Sequence, residues 1–190
     1  MDHEPDRVLI DRDRIRARVR EIGAALSRDL SQMLKAEGHD PAEHPDRVVL
    51  MPVMTGAIVF AADLIREMPL RLSIRIVTVS SYPGESTKSQ GVTLKSKLPE
   101  NLADRHVVII DDILDSGRTL AALTEAIKAQ GAASVRSCIL LKKRVPRETD
   151  IDADHMGFEI PDEFVVGYGL DYNGFYRNLP DIVTMKKVGA

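Results

Sequence analysis

The chain has 190 residues, 44% of them hydrophobic and 29% charged, with a formal net charge of −3. That length suits one α/β domain with a sizeable core and is short for two, and the composition excludes wholesale disorder. Slight acidity gives no electrostatic case for nucleic acid, and no apolar run approaches membrane-spanning length. The start, Met1-Asp-His-Glu-Pro-Asp-Arg7, is too acidic to read as a signal peptide. A lone Cys138 within an apolar run reads as a small buried residue with no internal disulfide, so a cytoplasmic setting is expected. Five scattered histidines lack the paired spacing of a zinc site.

Val8-Leu-Ile10 is a short apolar run. Asp11 to about Lys35 reads helical, with Ile15, Val19, Ile22, Ala25 and Leu26 on one face and charges on the other. Gly38-His-Asp-Pro41 breaks that pattern. Arg47 to Met54 is the first core strand, with Pro52 near its end, where a lost ladder bond should matter less. Thr55-Gly56-Ala57 turns into an amphipathic helix from Ile58 to Arg66, stopped by Pro69. A strand over Ser73 to Ser80 leads into the polar stretch Ser81 to Gly91, whose length in a compact domain favours a functional role. Val92 to Lys95 is a candidate returning strand. Ser134 to Leu141 is another strand, closing in the basic run Lys142-Lys143-Arg144. From Phe158 onward helical periodicity is absent and aromatics gather. Gly167, Gly169 and Gly174 punctuate what reads as short strands and turns over the carboxyl edge of a sheet. The alternation of strands and helices predicts a parallel sheet with helices on both faces.

The centre of the chain is His106-Val-Val-Ile-Ile-Asp-Asp-Ile-Leu-Asp-Ser-Gly-Arg-Thr-Leu120. Four β-branched residues ending in two acids read as a strand buried on both faces, whose carboxyl end reaches solvent. Asp115 to Thr119 is a short turn, followed by helix formers from Leu120 to Gln130 and a stop at Gly131. Ligands of open α/β sheets bind beyond the carboxyl ends of strands, and a small-residue loop entering a helix offers N–H groups and a positive dipole end to an anion. The turn is therefore expected to hold a phosphate. Asp111 and Asp112 would repel it, so they require a divalent cation or a polyhydroxyl group as partner; a phosphorylated sugar meets both demands. The P-loop pattern occurs nowhere, and Gly167-Tyr-Gly169 begins a dinucleotide fingerprint only to place Tyr172 where the third glycine belongs.

The hydrophobic run, two acids, two apolar residues, then Asp115, Ser116, Gly117 and Thr119, resembles the diphosphoribosyl-binding signature of the type I phosphoribosyltransferases. The tail narrows the likeness. Phe164-Val-Val-Gly-Tyr-Gly-Leu-Asp-Tyr172 with Arg177-Asn-Leu-Pro180 is similar to the C-terminal signature of the hypoxanthine and hypoxanthine-guanine members. Lys143-Arg144, Ser81-Tyr82 and the Val53-to-Ala57 turn match in order. The resemblance covers nearly the whole chain and implies a single type I phosphoribosyltransferase domain over residues 1–190. Its core would span about 45–145, with a central mostly parallel sheet flanked by helices and a small hood, from about 1–12 and 148–190, over the carboxyl edge.

The resemblance further implies a purine-salvage transferase that converts hypoxanthine, and guanine, with 5-phosphoribosyl 1-diphosphate to a nucleoside 5′-monophosphate and diphosphate, with Mg2+ as cofactor. By resemblance Asp111, Asp112, Asp115, Ser116, Gly117, Arg118 and Thr119 hold the phosphoribosyl group, and the metal sites are Asp111 with Asp112, and Asp171. Asp115 is implied as the catalytic base near a purine ring nitrogen; an Asp also suits a turn, and Thr119 also suits a helix cap. Lys143, Phe164, Val165 and Asp171 are implied at the purine. An ammonium is a donor only, so Lys143 matches a 6-carbonyl and mismatches the amino group of adenine. Thr55, Gly56 and Arg177 are implied at the diphosphate, with a non-proline cis peptide expected between Met54 and Thr55. Many relatives carry lysine where Thr55 stands, which shifts that contact to backbone N–H groups and Arg177. Ser81 and Tyr82 begin a stretch resembling the family's mobile lid. Homodimers or homotetramers are implied, without nucleic-acid or membrane partners. One rival is a regulatory protein that uses the fold to sense the diphosphate sugar, opposed by the absence of a basic domain and by Asp115, Lys143 and Asp171 together. Another is a transferase for adenine, orotate or uracil, opposed by Lys143 and the 164–171 segment.

Overall fold

A computed structural model describes residues 3–80, 93–94, 97–146 and 148–187. Ser81 and Tyr82, expected at the start of a lid, lie outside the described residues. In chain order the elements are β1 (His3–Ile10), α1 (Arg12–Ala36), β2 (Val48–Met54), α2 (Ile58–Arg66), β3 (Ser73–Ile74), β4 (Val77–Ser80), β5 (Thr93–Leu94), β6 (His106–Leu114), α3 (Arg118–Ala129), β7 (Ser134–Lys143), β8 (His155–Ile160), β9 (Val165–Val166) and β10 (Ile182–Lys187).

Strands that are apolar on both faces must be covered on both faces, and β2 and β6 are the centre of such a sheet. Its order is β5-β4-β2-β6-β7-β8, with β3 also on β2, and every pairing is parallel except that of β4 with β5. Side chains alternate along each strand. Val108 and Ile110 of β6 join Leu50 of β2 in the core beneath α1 and α2, while Val107 and Ile109 join Val49 and Met51 beneath α3. Asp11 starts α1 by accepting from the backbone N–H groups of Asp13 and Arg14 at 3.1 and 3.0 Å. The stripe Ile15, Val19, Ile22, Leu26, Leu30 and Leu34 is buried, each side chain contributing about 1.5–3 kcal/mol relative to exposure.

Three sequence expectations change. The strand expected over Ser73 to Ser80 is two, β3 and β4, both on β2. Arg75 donates its N–H to the carbonyl of Leu50, so the next β2 donor facing that edge falls at position 52. Pro52 has no N–H, and the ladder lapses there before resuming at Val53. The lost bond therefore matters more than its place near the strand end suggested. Second, α3 begins at Arg118 and not at Leu120. Third, β8 lies within the span expected to form a hood, yet it extends the main sheet beside β7. The separate sheet is β1-β10-β9, antiparallel and built from both ends of the chain. Among the described residues no helix is long and apolar enough to cross a membrane.

Candidate active site

The register of β2 and β6 ends at Pro52 and Ile110, whereas β6 stays paired with β7 as far as Leu114 and Lys142. Beyond Ile110, the β2 edge of β6 is therefore open. The turn after β2 packs against it through Gly56, where a Cβ would sit 1.7 Å from Oδ2 of Asp112. The C-terminal segment closes on that turn in the same way, since a Cβ on Gly169, at φ +103°, would meet the carbonyl oxygen of Gly56 at 2.3 Å. Only glycine permits both approaches, and three segments distant in sequence meet there. The peptide bond between Met54 and Thr55 is cis.

Asp111 is buried and Asp112 half-buried. One Asp111 oxygen accepts from the backbone N–H of Asp112 at 2.9 Å. Burial pushes the Asp111 carboxyl well above its ordinary range, and the adjacent charge of Asp112 adds to this. Burial raises Asp112 as well, partly offset by hydrogen bonds and by the charge of Arg177. Two neighbouring acids with so little compensation favour an added cation. Among the described residues no group of three or more His, Cys, Asp or Glu comes together to cage a metal. The donors on offer are carboxylate oxygens, which suit a hard divalent ion that completes its shell with water and substrate oxygens. Asp171 is engaged elsewhere: Oδ1 lies 2.6 Å from Nη2 of Arg177, and Oδ2 accepts from the N–H of Gly174 at 2.7 Å.

After β6 the chain enters α3 through Gly117, the N-cap, at φ +81° and with no side-chain capping bond. Thr119 therefore sits in the first helical turn and is not the cap. Ser116 Oγ accepts from the N–H of Arg118 at 3.4 Å, and the later N–H groups of the first turn receive no cap from Gly117. A neighbouring segment braces this turn: Glu148 donates its N–H to the carbonyl of Ser116 at 3.2 Å and pairs through its carboxylate with Arg118. The space above holds about 690 Å³ and is lined by Gly56, Asp111, Asp112, Asp115, Ser116, Gly117, Thr119, Glu148, Asp171 and Arg177, among others. Arg118 does not line it, its guanidinium being turned to Glu148. Thr55 is exposed and does not line it either.

A second hollow of about 430 Å³ shares Asp112, Ile113, Asp115 and Asp171 with the first and adds Lys143, Glu163, Phe164, Val165 and Leu170. Lys143 ends β7 with its Nζ 3.6 Å from Oδ2 of Asp115 and 3.0 Å from Oδ1 of Asp162. Phe164 stands half-exposed, edge-on to Tyr172 with ring centres 5.6 Å apart. The side chain of Val165 is buried in the core, so Val165 offers the hollow chiefly its backbone. Arg177 also donates to the carbonyl of Gly169 at 2.6 Å, tying the tail across both spaces.

The geometry is thus an acid-flanked turn joined through shared residues to a smaller hollow with one ammonium and one aromatic ring. The family model for the phosphoribosyl transferase domain matches residues 18–173. The chain belongs to the phosphoribosyltransferase family. The hypoxanthine-guanine phosphoribosyltransferase of Bacillus subtilis is 41% identical over 188 residues, covering 98% of this chain and 96% of that protein. The protein of the same name from Streptococcus pneumoniae is 35% identical over 187 residues, covering 98% and 97%. A crystal structure of a hypoxanthine-guanine phosphoribosyltransferase from Bacillus anthracis matches with a TM-score of 0.82 at 32% identity, over 97% of this chain and 99% of that one. The fold is accordingly the type I phosphoribosyltransferase fold, with its central, mostly parallel sheet.

Sequence reasoning overlooked Glu148, Asp162 and Glu163. Glu148 and Asp162 reach the site through partners 30 and 19 residues away in the chain, Arg118 and Lys143. Glu163 is held bidentate by Arg7 of β1, both bonds at 2.8 Å. No local pattern signals such pairs, although acids beside a signature aromatic are a reason to look.

Proposed function

We propose that this phosphoribosyltransferase moves the phosphoribosyl group of 5-phosphoribosyl 1-diphosphate onto a ring nitrogen of hypoxanthine, and of guanine, releasing diphosphate and a nucleoside 5′-monophosphate. The observation that carries the reading is the joining of the two hollows through Asp112, Asp115 and Asp171, which suits a sugar phosphate on one side and a flat base on the other. Near-full-length relatives carrying that activity in their names support it.

In this account the 5-phosphate sits in the turn from Asp115 to Thr119, held by backbone N–H groups, the positive end of α3 and the hydroxyls of Ser116 and Thr119. Asp111 and Asp112 face the ribose hydroxyls. Lys143 donates to the purine 6-carbonyl, Phe164 stacks on the ring, and the backbone at Val165 and Asp171 reads its edge. The sugar's bond to the diphosphate oxygen breaks while the bond from its anomeric carbon to the ring nitrogen forms, and Asp115 accepts the proton the purine sheds. Gly56 and Arg177 attend the departing diphosphate, with Arg177 leaving its present pairing with Asp171. Asp111, Asp112 and, once released, Asp171 would hold Mg2+, which when bound neutralises the leaving-group charge. We place the enzyme in the cytoplasm as a homodimer or homotetramer; a single buried cysteine fits a reducing compartment.

The test is formation of nucleotide and diphosphate from hypoxanthine and 5-phosphoribosyl 1-diphosphate with Mg2+ present. Chelation should abolish turnover and restored Mg2+ should recover it, with the protein remaining folded throughout. Absence of product from both hypoxanthine and guanine would overturn the reading.

A further inference from the structure

Lys143 is only 13% exposed at its side chain and lies between two acids from different segments. Asp115 belongs to the turn before α3, and Asp162 to the bend between β8 and β9. That bend is well anchored: Arg144 donates its N–H to the carbonyl of Ile160, Glu163 donates to the carbonyl of Pro161, and Arg7 grips the Glu163 carboxylate. The same bend carries Phe164 into the smaller hollow. The backbone that carries Asp162 is therefore held on both sides, two residues before Phe164.

The proposed reaction makes two demands on Asp115 that conflict. As Lys143's sole carboxylate partner it would draw the ammonium toward the turn, away from the base carbonyl. An Asp115 oxygen held on the ammonium would also be turned away from the purine nitrogen. The contact to Asp162 is the shorter of the two, 3.0 against 3.6 Å, and it draws the ammonium away from Asp115. An ammonium has three N–H donors, so one held by Asp162 leaves others for a ligand. We propose that Asp162 is a positioning residue: it competes with Asp115 for the Lys143 ammonium, keeping the lysine aimed at the 6-carbonyl and the Asp115 carboxylate available to the purine proton. This rests on the phosphoribosyl-transfer reading given above. The Asp162 side chain is 65% exposed, so screening limits the effect.

Steady-state kinetics on the full chain test this with Asp162→Asn, Asp162→Glu, Lys143→Ala and the Asp162→Asn/Lys143→Ala double variant. Asp162→Asn should raise the KM for hypoxanthine about five- to tenfold, the scale of a partly screened charge-assisted contact. The KM for the sugar diphosphate should stay within about twofold, and Asp162→Glu, which keeps the carboxylate, should recover most of the loss. Because the effect runs through the lysine, adding Asp162→Asn to Lys143→Ala should change the hypoxanthine KM by less than about twofold. An equal loss with and without Lys143, or an equal rise in both KM values, would overturn the proposal and leave Asp162 a shaper of the bend. A wild-type chain inactive on every 6-oxopurine would overturn the functional reading and this inference together, an outcome distinct from an active wild type with additive variants.

Discussion

The two ends of β6 handle charge in opposite ways. At its amino end the buried His106 has both ring nitrogens partnered, Nδ1 at 2.9 Å from the Ser134 hydroxyl and Nε2 at 3.1 Å from Glu37. Arg47 also reaches Glu37, at 3.0 Å. Burial tends to raise the Glu37 carboxyl, but His106 and Arg47 outweigh it and hold the group below its ordinary value. At the carboxyl end Asp111 and Asp112 crowd each other and are both pushed upward. Charge compensated within the chain stabilises the fold, whereas charge left uncompensated is held ready for a ligand that brings the missing partner. One strand thus has its charge compensated at one end and left uncompensated at the other.

Substitutions can break that contrast, and the largest effect belongs to Asp115. Asp115→Asn preserves the turn while removing the carboxylate, so turnover should fall about a hundred- to ten-thousand-fold, roughly 3–5 kcal/mol in activation free energy. Affinity for the sugar diphosphate and the melting temperature should move little. If Asp115 only shapes the turn, the pattern reverses, with weaker sugar binding and near-normal turnover at saturation.

Asp111→Asn sharpens the contrast in a smaller way, because it removes a buried charge that has a like charge beside it. Activity should drop while stability rises by about 1 kcal/mol, roughly 2–4 °C in Tm for a domain of this size. A lower Tm, measured by thermal unfolding without ligands, would mean that the carboxylate is an ordinary part of the core polar network.

The smallest effect is expected at the other end. Glu37→Gln should lower Tm by a few degrees at pH 7 with turnover intact. A carboxyl held below its usual value stabilises the fold above the unfolded pKa and ceases to do so as pH falls through the folded one. The Tm gap between Glu37→Gln and wild type should therefore close below about pH 4, and a gap independent of pH would show that charge is not its cause.

What could be read in advance follows the same division between local and distant. The stretch from His106 to Thr119 carries its meaning locally: β-branched residues, then two acids, then a small-residue turn. It folds as the strand and turn so described, although β6 runs on to Leu114 and Gly117, not Thr119, takes the N-cap. The helices from Asp11 and Ile58 were equally legible because a 3.6-residue apolar period requires only one buried face. The break between β3 and β4 was not, since it depends on which edge of β2 Pro52 faces. Nor was the place of β8, because Met156 and Phe158 give no sign of whether they pair with β7 or cap the sheet. The smaller hollow, proposed for the base, was anticipated only through resemblance. Its geometry comes from ion pairs such as Lys143 with Asp162 and Arg177 with Asp171, and from the fit of Gly169 on Gly56.

The central claim is that an acid-flanked sugar turn serves a hollow selective for a 6-carbonyl. Competition between hypoxanthine and adenine for limiting 5-phosphoribosyl 1-diphosphate tests it most directly, with wild type and Lys143→Ala side by side. The account predicts that wild type makes almost entirely the hypoxanthine product, and that Lys143→Ala loses about ten- to a hundredfold in kcat/KM for hypoxanthine, the scale of one hydrogen bond to a charged donor, narrowing the preference. Equal use of both bases by wild type, or a preference untouched by the loss of Lys143, would contradict it.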